Sequence, residues 1–162
     1  MTEDTGNERD LNANMLLDQY KLYVQLADKI SDRRADANRF FISLLTGLLA
    51  LLSAIVGLKT ATAIQGSVLF TVAILGVLLC YVWFIIIRSY SQLNSGKFKV
   101  IQEVERHLAF RFYEREWEVL GKGKDKRLYW PLTRVERYVP RLFAILYIAL
   151  LLVALYVLAA SI

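Results

Sequence analysis

One histidine, one cysteine and a lysine-rich glycine turn are the groups in this chain with obvious reactive or ligand-binding chemistry. His107 has no histidine, cysteine or carboxylate partner at the spacing a structural or catalytic zinc site uses, so it reads as a solvated or interhelical side chain. Cys80 stands alone in an apolar run. That excludes an internal disulfide and a cysteine metal cluster, and leaves a small packing residue. The segment GKGKDKR at 121–127 joins glycine to lysine as a phosphate loop does, but lacks the four-residue gap followed by Gly-Lys-Ser or Gly-Lys-Thr. It reads as a basic surface turn. No nucleophile–base pair can be assembled from what remains. The sequence therefore predicts no catalytic residue, no cofactor, no metal and no enzyme.

A second set of polar groups sits in apolar surroundings. Ser43, Thr46, Ala50, Ser53 and Gly57 recur at steps of three and four, which aligns them on one helix face. In lipid, small residues at that spacing let helices approach closely and exchange hydroxyl hydrogen bonds. Ala73, Gly76 and Cys80 form a shorter column of the same kind. Three uses are open at this point: packing within one subunit, packing between subunits, or hydroxyls facing water in an oligomeric pore.

The elements that carry these columns are membrane spans. The chain is 162 residues long, 56% hydrophobic, with a positive mean hydropathy. Soluble domains hold about 45–50% apolar residues, and a chain this short cannot hide the excess in one core. A hydrocarbon layer about 30 Å thick takes roughly 20 helical residues. Three segments free of Asp, Glu, His, Lys and Arg meet that length: 40–58, 60–87 with its dense part at 68–87, and 142–162. The last holds 13 residues from Leu, Ile, Val and Phe, and at mid-bilayer these favour insertion by about 4–8 kcal/mol. Pumps and ion-coupled transporters keep ionisable groups at depth as their relay, and these spans carry none.

Lysine and arginine set the orientation. Five flank the first span on its N-terminal side, within 20–39, and 13 lie between the second and third spans, against Lys59 alone in the first turn. The predicted topology has the N-terminus in the cytoplasm, the tip of the first hairpin outside and the C-terminus outside. The acidic, polar start MTEDTGNERD predicts no cleavable signal peptide. The net charge of +5 and pI near 9.4 then belong to the membrane surface, where basic residues attract anionic headgroups. No nucleic-acid partner is expected.

The expected fold is all-α, a multi-pass membrane protein with three transmembrane helices and two cytosolic amphipathic helices. Residues 1–10 are expected to be disordered. A cytosolic helix over 11–38 carries Leu16, Tyr20, Tyr23, Ala27 and Ile30 as one apolar stripe that continues into the first span. Tyr20, Tyr23, Ala27 and Ile30 are the expected cytosolic oligomer contacts. YSQLNSGK at 90–97 reads as a loop by its Ser, Asn and Gly. A second helix then places Ile101, Val104, Leu108 and Arg111 on one face, carries most of its charges, Glu105 among them, elsewhere, and stops at Gly121. The collar SDRRADANR and the return to the membrane supply expected interfacial anchors: Arg33, Arg34, Arg39, Tyr129, Trp130 and Tyr138. Pro140 suits the first turn of the third span.

The run YKLYVQLADKISDRRADANRFFISLLTGLLALL, with its Tyr-Lys-x-Tyr and Ser-x-Arg-Arg elements ahead of Ala-Asn-x-Phe-Phe, resembles the RipA family of small octameric bacterial membrane proteins. The likeness covers about residues 16–120. The layout is also similar to SLATT-type two-span effector domains, from which a third span departs. The resemblance implies a bacterial inner membrane, a homo-oligomer of eight copies, and a role in growth or adaptation with no settled biochemical activity. The expected function is a non-enzymatic scaffold or stress-linked assembly, alone or with a further protein partner. A pore-forming or membrane-perturbing effector is the alternative.

Overall fold

The computed structural model describes residues 3–56, 62–125, 127–129 and 132–160. Every regular element among them is helical: α1 (Glu3–Val56), α2 (Thr62–Glu105), α3 (Phe112–Val119), α4 (Leu132–Glu136) and α5 (Tyr138–Ala160). A short 3-10 turn at Gly121–Gly123 follows α3. Helices α1, α2 and α5 contain the three segments long and apolar enough to cross a membrane. By contour, α1 with its 54 residues measures about 80 Å and α2 with 44 about 66 Å. A hydrocarbon layer of about 30 Å covers less than half of either.

α1 has no break in the collar at 31–45, and it begins at Glu3 rather than near residue 11. α2 corrects two expectations. YSQLNSGK is helical throughout, so the second span runs on without a loop. Its Gly96 costs a helix about 1 kcal/mol, too little to break one that neighbours hold on both sides. Ser95 turns its hydroxyl back on the carbonyl of Ser91 at 2.9 Å, which satisfies it within the helix. The break comes instead after Glu105. There the amides of Arg106, His107 and Leu108 bond the carbonyls three residues back, tightening the last turn, and α3 starts afresh at Phe112.

The chain divides into two compact units: Met1–Arg33 with Tyr90–Pro131, and Arg34–Ser89 with Leu132–Ile162. In the first, Ala27, Ile30, Ile101 and Glu105 are buried. In the second, Phe41, Leu45, Cys80, Trp83, Ile87 and Tyr147 form the main core. Beyond Arg141, α5 is apolar all round, yet only Pro140, Tyr147 and Ala154 of the helix are buried. They lie one heptad apart, so a single narrow line faces the protein and the rest faces outward. Leu142, Ile145, Leu152 and Tyr156 are among its exposed side chains. A helix apolar on every side needs an apolar solvent, and lipid is that solvent.

Candidate assembly surfaces and packing anchors

The first unit is organised by Glu105, whose side chain is fully buried at the end of α2. The hydroxyl of Tyr20, on α1, donates to its Oε1 at 2.9 Å. The amide of Tyr113 donates to the same oxygen at 2.9 Å, and that of Glu114 to Oε2 at 3.3 Å. Those amides are the second and third of α3, the donors that a capping side chain normally satisfies. Arg111, the residue before α3, makes no such bond with its side chain. Glu105 caps α3 from another helix, and its negative charge sits at the positive end of the α3 dipole. Glu105, placed from sequence among the charges that lie off the apolar face, is instead buried. Burial, then the hydrogen bond to Glu105, raises the pKa of Tyr20 above its ordinary value of 10.0. Tyr113 is raised by burial too, with the carboxylate of Asp28 next in effect.

Of the four residues expected from sequence to make the oligomer contacts outside the membrane, Ala27 and Ile30 are buried within the chain itself. Tyr20 is half-buried and engaged with Glu105. Tyr23 is half-buried under the ammonium of Lys97, 4.6 Å from its ring centre. Tyr20 and Tyr23 also line a cavity of about 160 Å³ with Leu16, Val100, Ile101 and Val104. One chain thus occupies most of this stripe. α1 has a second apolar stripe that sequence reading passed over. Leu11, Met15, Leu22 and Leu26 are 61%, 52%, 59% and 40% exposed. They lie within about 60° of one another on the helix, and about 110° around from the buried stripe.

A larger cavity of about 440 Å³ lies between α2, α3 and the segment that follows, with Phe98, Lys99, Gln102, Glu116, Trp117 and Tyr129 in its walls. Among the described residues, none of α1 lines it. The indole of Trp117 meets the ring of Tyr129 edge to face, at 6.4 Å between centres. Behind it, the backbone takes left-handed conformations at Gly121, Lys122 and Gly123, with φ of 65°, 54° and 67°. Gly121 ends α3 as expected. A side chain at Gly123 would start 3.0 Å from the indole, so the GKG turn lies flat against Trp117. His107 is exposed in the turn after α2.

In the second unit a tyrosine joins three helices. Tyr147 of α5 is fully buried, and its hydroxyl donates to the carbonyl oxygen of Leu45 on α1 at 2.7 Å. Its ring covers Gly76 of α2, where a β-carbon would overlap it. Trp83 donates from Nε1 to Oδ1 of Asn38 at 2.9 Å and stacks on Phe41 at 5.7 Å. Ala73, Gly76 and Cys80 are all buried, so the small-residue column of α2 faces inward. The α1 column does the reverse. Ser43, Thr46, Ala50 and Ser53 are exposed. Thr46 and Ser53 bond the carbonyls of Ile42 and Leu49 on their own helix, at 2.6 and 3.0 Å. Gly57 and Trp130 lie outside the described residues.

The remaining expected anchors fall into different settings. Arg34 pairs with Glu136 at 3.3 Å, with side chains only 12% and 14% exposed. Arg39 pairs with Asp36 at 3.4 Å in the open, and Arg33 is exposed. Tyr129 packs on Trp117 in the first unit. Tyr138 is exposed in the second, with the guanidinium of Arg141 5.6 Å from its ring centre. Pro140 is buried in the first turn of α5, where an absent amide costs the helix nothing.

Residues 17–156 match the family model of the Octameric membrane protein family (8xMP). Neither the curated proteins nor the solved structures yield a match.

Proposed function

This chain belongs to the Octameric membrane protein family, and from that premise we propose that it is a non-enzymatic protein of the bacterial inner membrane that assembles with itself, as the family's name describes, into a scaffold of eight copies. The family match, spanning both units, is the observation that carries the reading. The proposed topology puts the first unit in the cytoplasm and the C-terminus outside, supported by the distribution of lysine and arginine around the spans. The exposed small-residue face of α1 (Ser43, Thr46, Ala50, Ser53) is the proposed membrane contact between copies. Its α2 counterpart is already used inside the chain. Arg33, Arg39, Tyr138 and Arg141 are proposed to meet the headgroups.

A scaffold is favoured over a pore by the hydroxyls of Thr46 and Ser53, which are satisfied by their own helix rather than turned outward to coordinate water or ions. Reconstitution into dye-loaded vesicles containing anionic lipid tests this: the scaffold leaves them tight, and release of dye that scales with protein contradicts it. Ala50→Leu with Ser53→Leu should reduce the copy number while leaving membrane insertion intact. An unchanged copy number removes that face from the assembly.

A further inference from the structure

Eight copies inserted with the same end in the cytoplasm have one kind of closed symmetry open to them. A dihedral assembly has two-fold axes in the membrane plane and would turn half its copies upside down. The assembly must be cyclic, and in a cyclic ring every contact joins two unlike surfaces. Each copy needs a face that gives and a face that receives.

The first unit carries both. The giving face is the exposed ridge of Leu11, Met15, Leu22 and Leu26, to which one chain offers no cover. The receiving face is the 440 Å³ cavity walled by Phe98, Trp117 and Tyr129, which no described α1 residue of the same chain enters. Size fits the pair. A cavity of about 150 Å³ corresponds to one large aliphatic side chain, so this one takes about three. The chemistry fits too, with aromatic walls for aliphatic knobs and one charge of each sign, Lys99 and Glu116, among the lining residues. On the ridge, Asp18 and Lys29 fall on the same face as the leucines, about 16 Å apart along the axis.

We infer that, in the ring, the leucine ridge of α1 from one copy seats in the Phe98–Trp117–Tyr129 cavity of the next. This rests on the proposed assembly of eight and adds which surfaces meet. The cavity is completed only by the neighbouring copy. It also assigns the cytosolic contact to Leu11, Met15, Leu22 and Leu26, and leaves Tyr20, Tyr23, Ala27 and Ile30 to hold the single chain together.

The test uses two full-length variants. Leu22→Glu with Leu26→Glu spoils the ridge, and Ser95→Trp, at an exposed position on the cavity wall, fills the receiving face. Native mass spectrometry should show the eight-copy species of the unaltered chain lost in each variant alone. Co-expressed, the two retain one working contact between them, so they should form a pair with one of each and grow no further. A variant that keeps eight copies, or a mixture that stays single, overturns the pairing. An unaltered chain that is itself single-copy overturns the assembly as well, so the two failures are told apart. A second measurement does not depend on disruptive variants. In a Cys80→Ala background, Leu26→Cys with Gln102→Cys should oxidise to a covalent ladder, while either cysteine alone gives at most a two-copy band. No ladder in an eight-copy preparation overturns the contact.

Discussion

Each unit hangs its packing on a tyrosine hydroxyl, and the two acceptors differ in kind. Tyr20 donates to a buried carboxylate, Glu105, while Tyr147 donates to a backbone carbonyl, that of Leu45. A buried carboxylate is tolerable where several donors converge on it, and Glu105 has a hydroxyl and two amides. In hydrocarbon the same charge would be far costlier. There the second unit uses a neutral acceptor and fills the remaining space with Trp83, Phe41 and a glycine. A largely buried ion pair of that unit, Arg34 with Glu136, joins the start of its α1 portion to the helix preceding α5. The two units thus differ in what their tyrosines bond, a charged side chain in one and a neutral carbonyl in the other.

The largest effect should come from removing the charged hub. Glu105→Ala leaves one hydroxyl and two helix amides without their acceptor, a loss of about 3 kcal/mol or more. Hydrogen exchange should then accelerate on the order of a hundredfold at the amides of Tyr113 and Glu114. Unchanged protection would mean that α3 is held by something other than Glu105. Glu105→Gln keeps one acceptor oxygen and should fall between the two.

In the second unit, Gly76→Ala should destabilise by about 1–3 kcal/mol, because a methyl group cannot share space with the Tyr147 ring. Gly47, with nothing near its β-position, is the matched control. Gly47→Ala should be neutral or stabilising by up to about 1 kcal/mol. Thermal unfolding of both variants in the same detergent makes the comparison, and equal shifts would deny the close approach at Gly76.

The two tyrosines give smaller and unequal effects. Tyr20→Phe should cost about 1–2 kcal/mol, since its acceptor is charged. Tyr147→Phe should cost about 0.6 kcal/mol, typical of hydrogen bonds inside membrane bundles. Tyr20 also makes stability depend on pH. Tyr20 loses its proton in the unfolded chain near pH 10 but holds it longer when folded. Its contribution is therefore complete below pH 10 and falls as pH rises beyond. Denaturation of the first unit should steepen above pH 10 in the parent chain and less so in Tyr20→Phe.

Much of the fold is legible in the residue order, because span length and the absence of charge are local properties. The 142–162 segment needs no tertiary knowledge to be read as a span, and neither does the stripe from Leu16 to Ile30. What escapes is set by partners distant in sequence. YSQLNSGK has loop composition, yet propensities of about 1 kcal/mol yield to a helix held at both ends. Glu105 sits among other charged residues, with nothing beside it to mark burial. Its role depends on a turn at 106–111 that contains no glycine or proline, and on Tyr20, 85 positions away. The two apolar stripes of α1 are both visible as periodicity. Only the fold tells which one is already covered.

Counting subunits in lipid discs cut directly from the membrane, without detergent, is the most direct trial of self-assembly. Eight copies of this chain per disc is the expected result. One copy per disc, at every expression level tried, would contradict it.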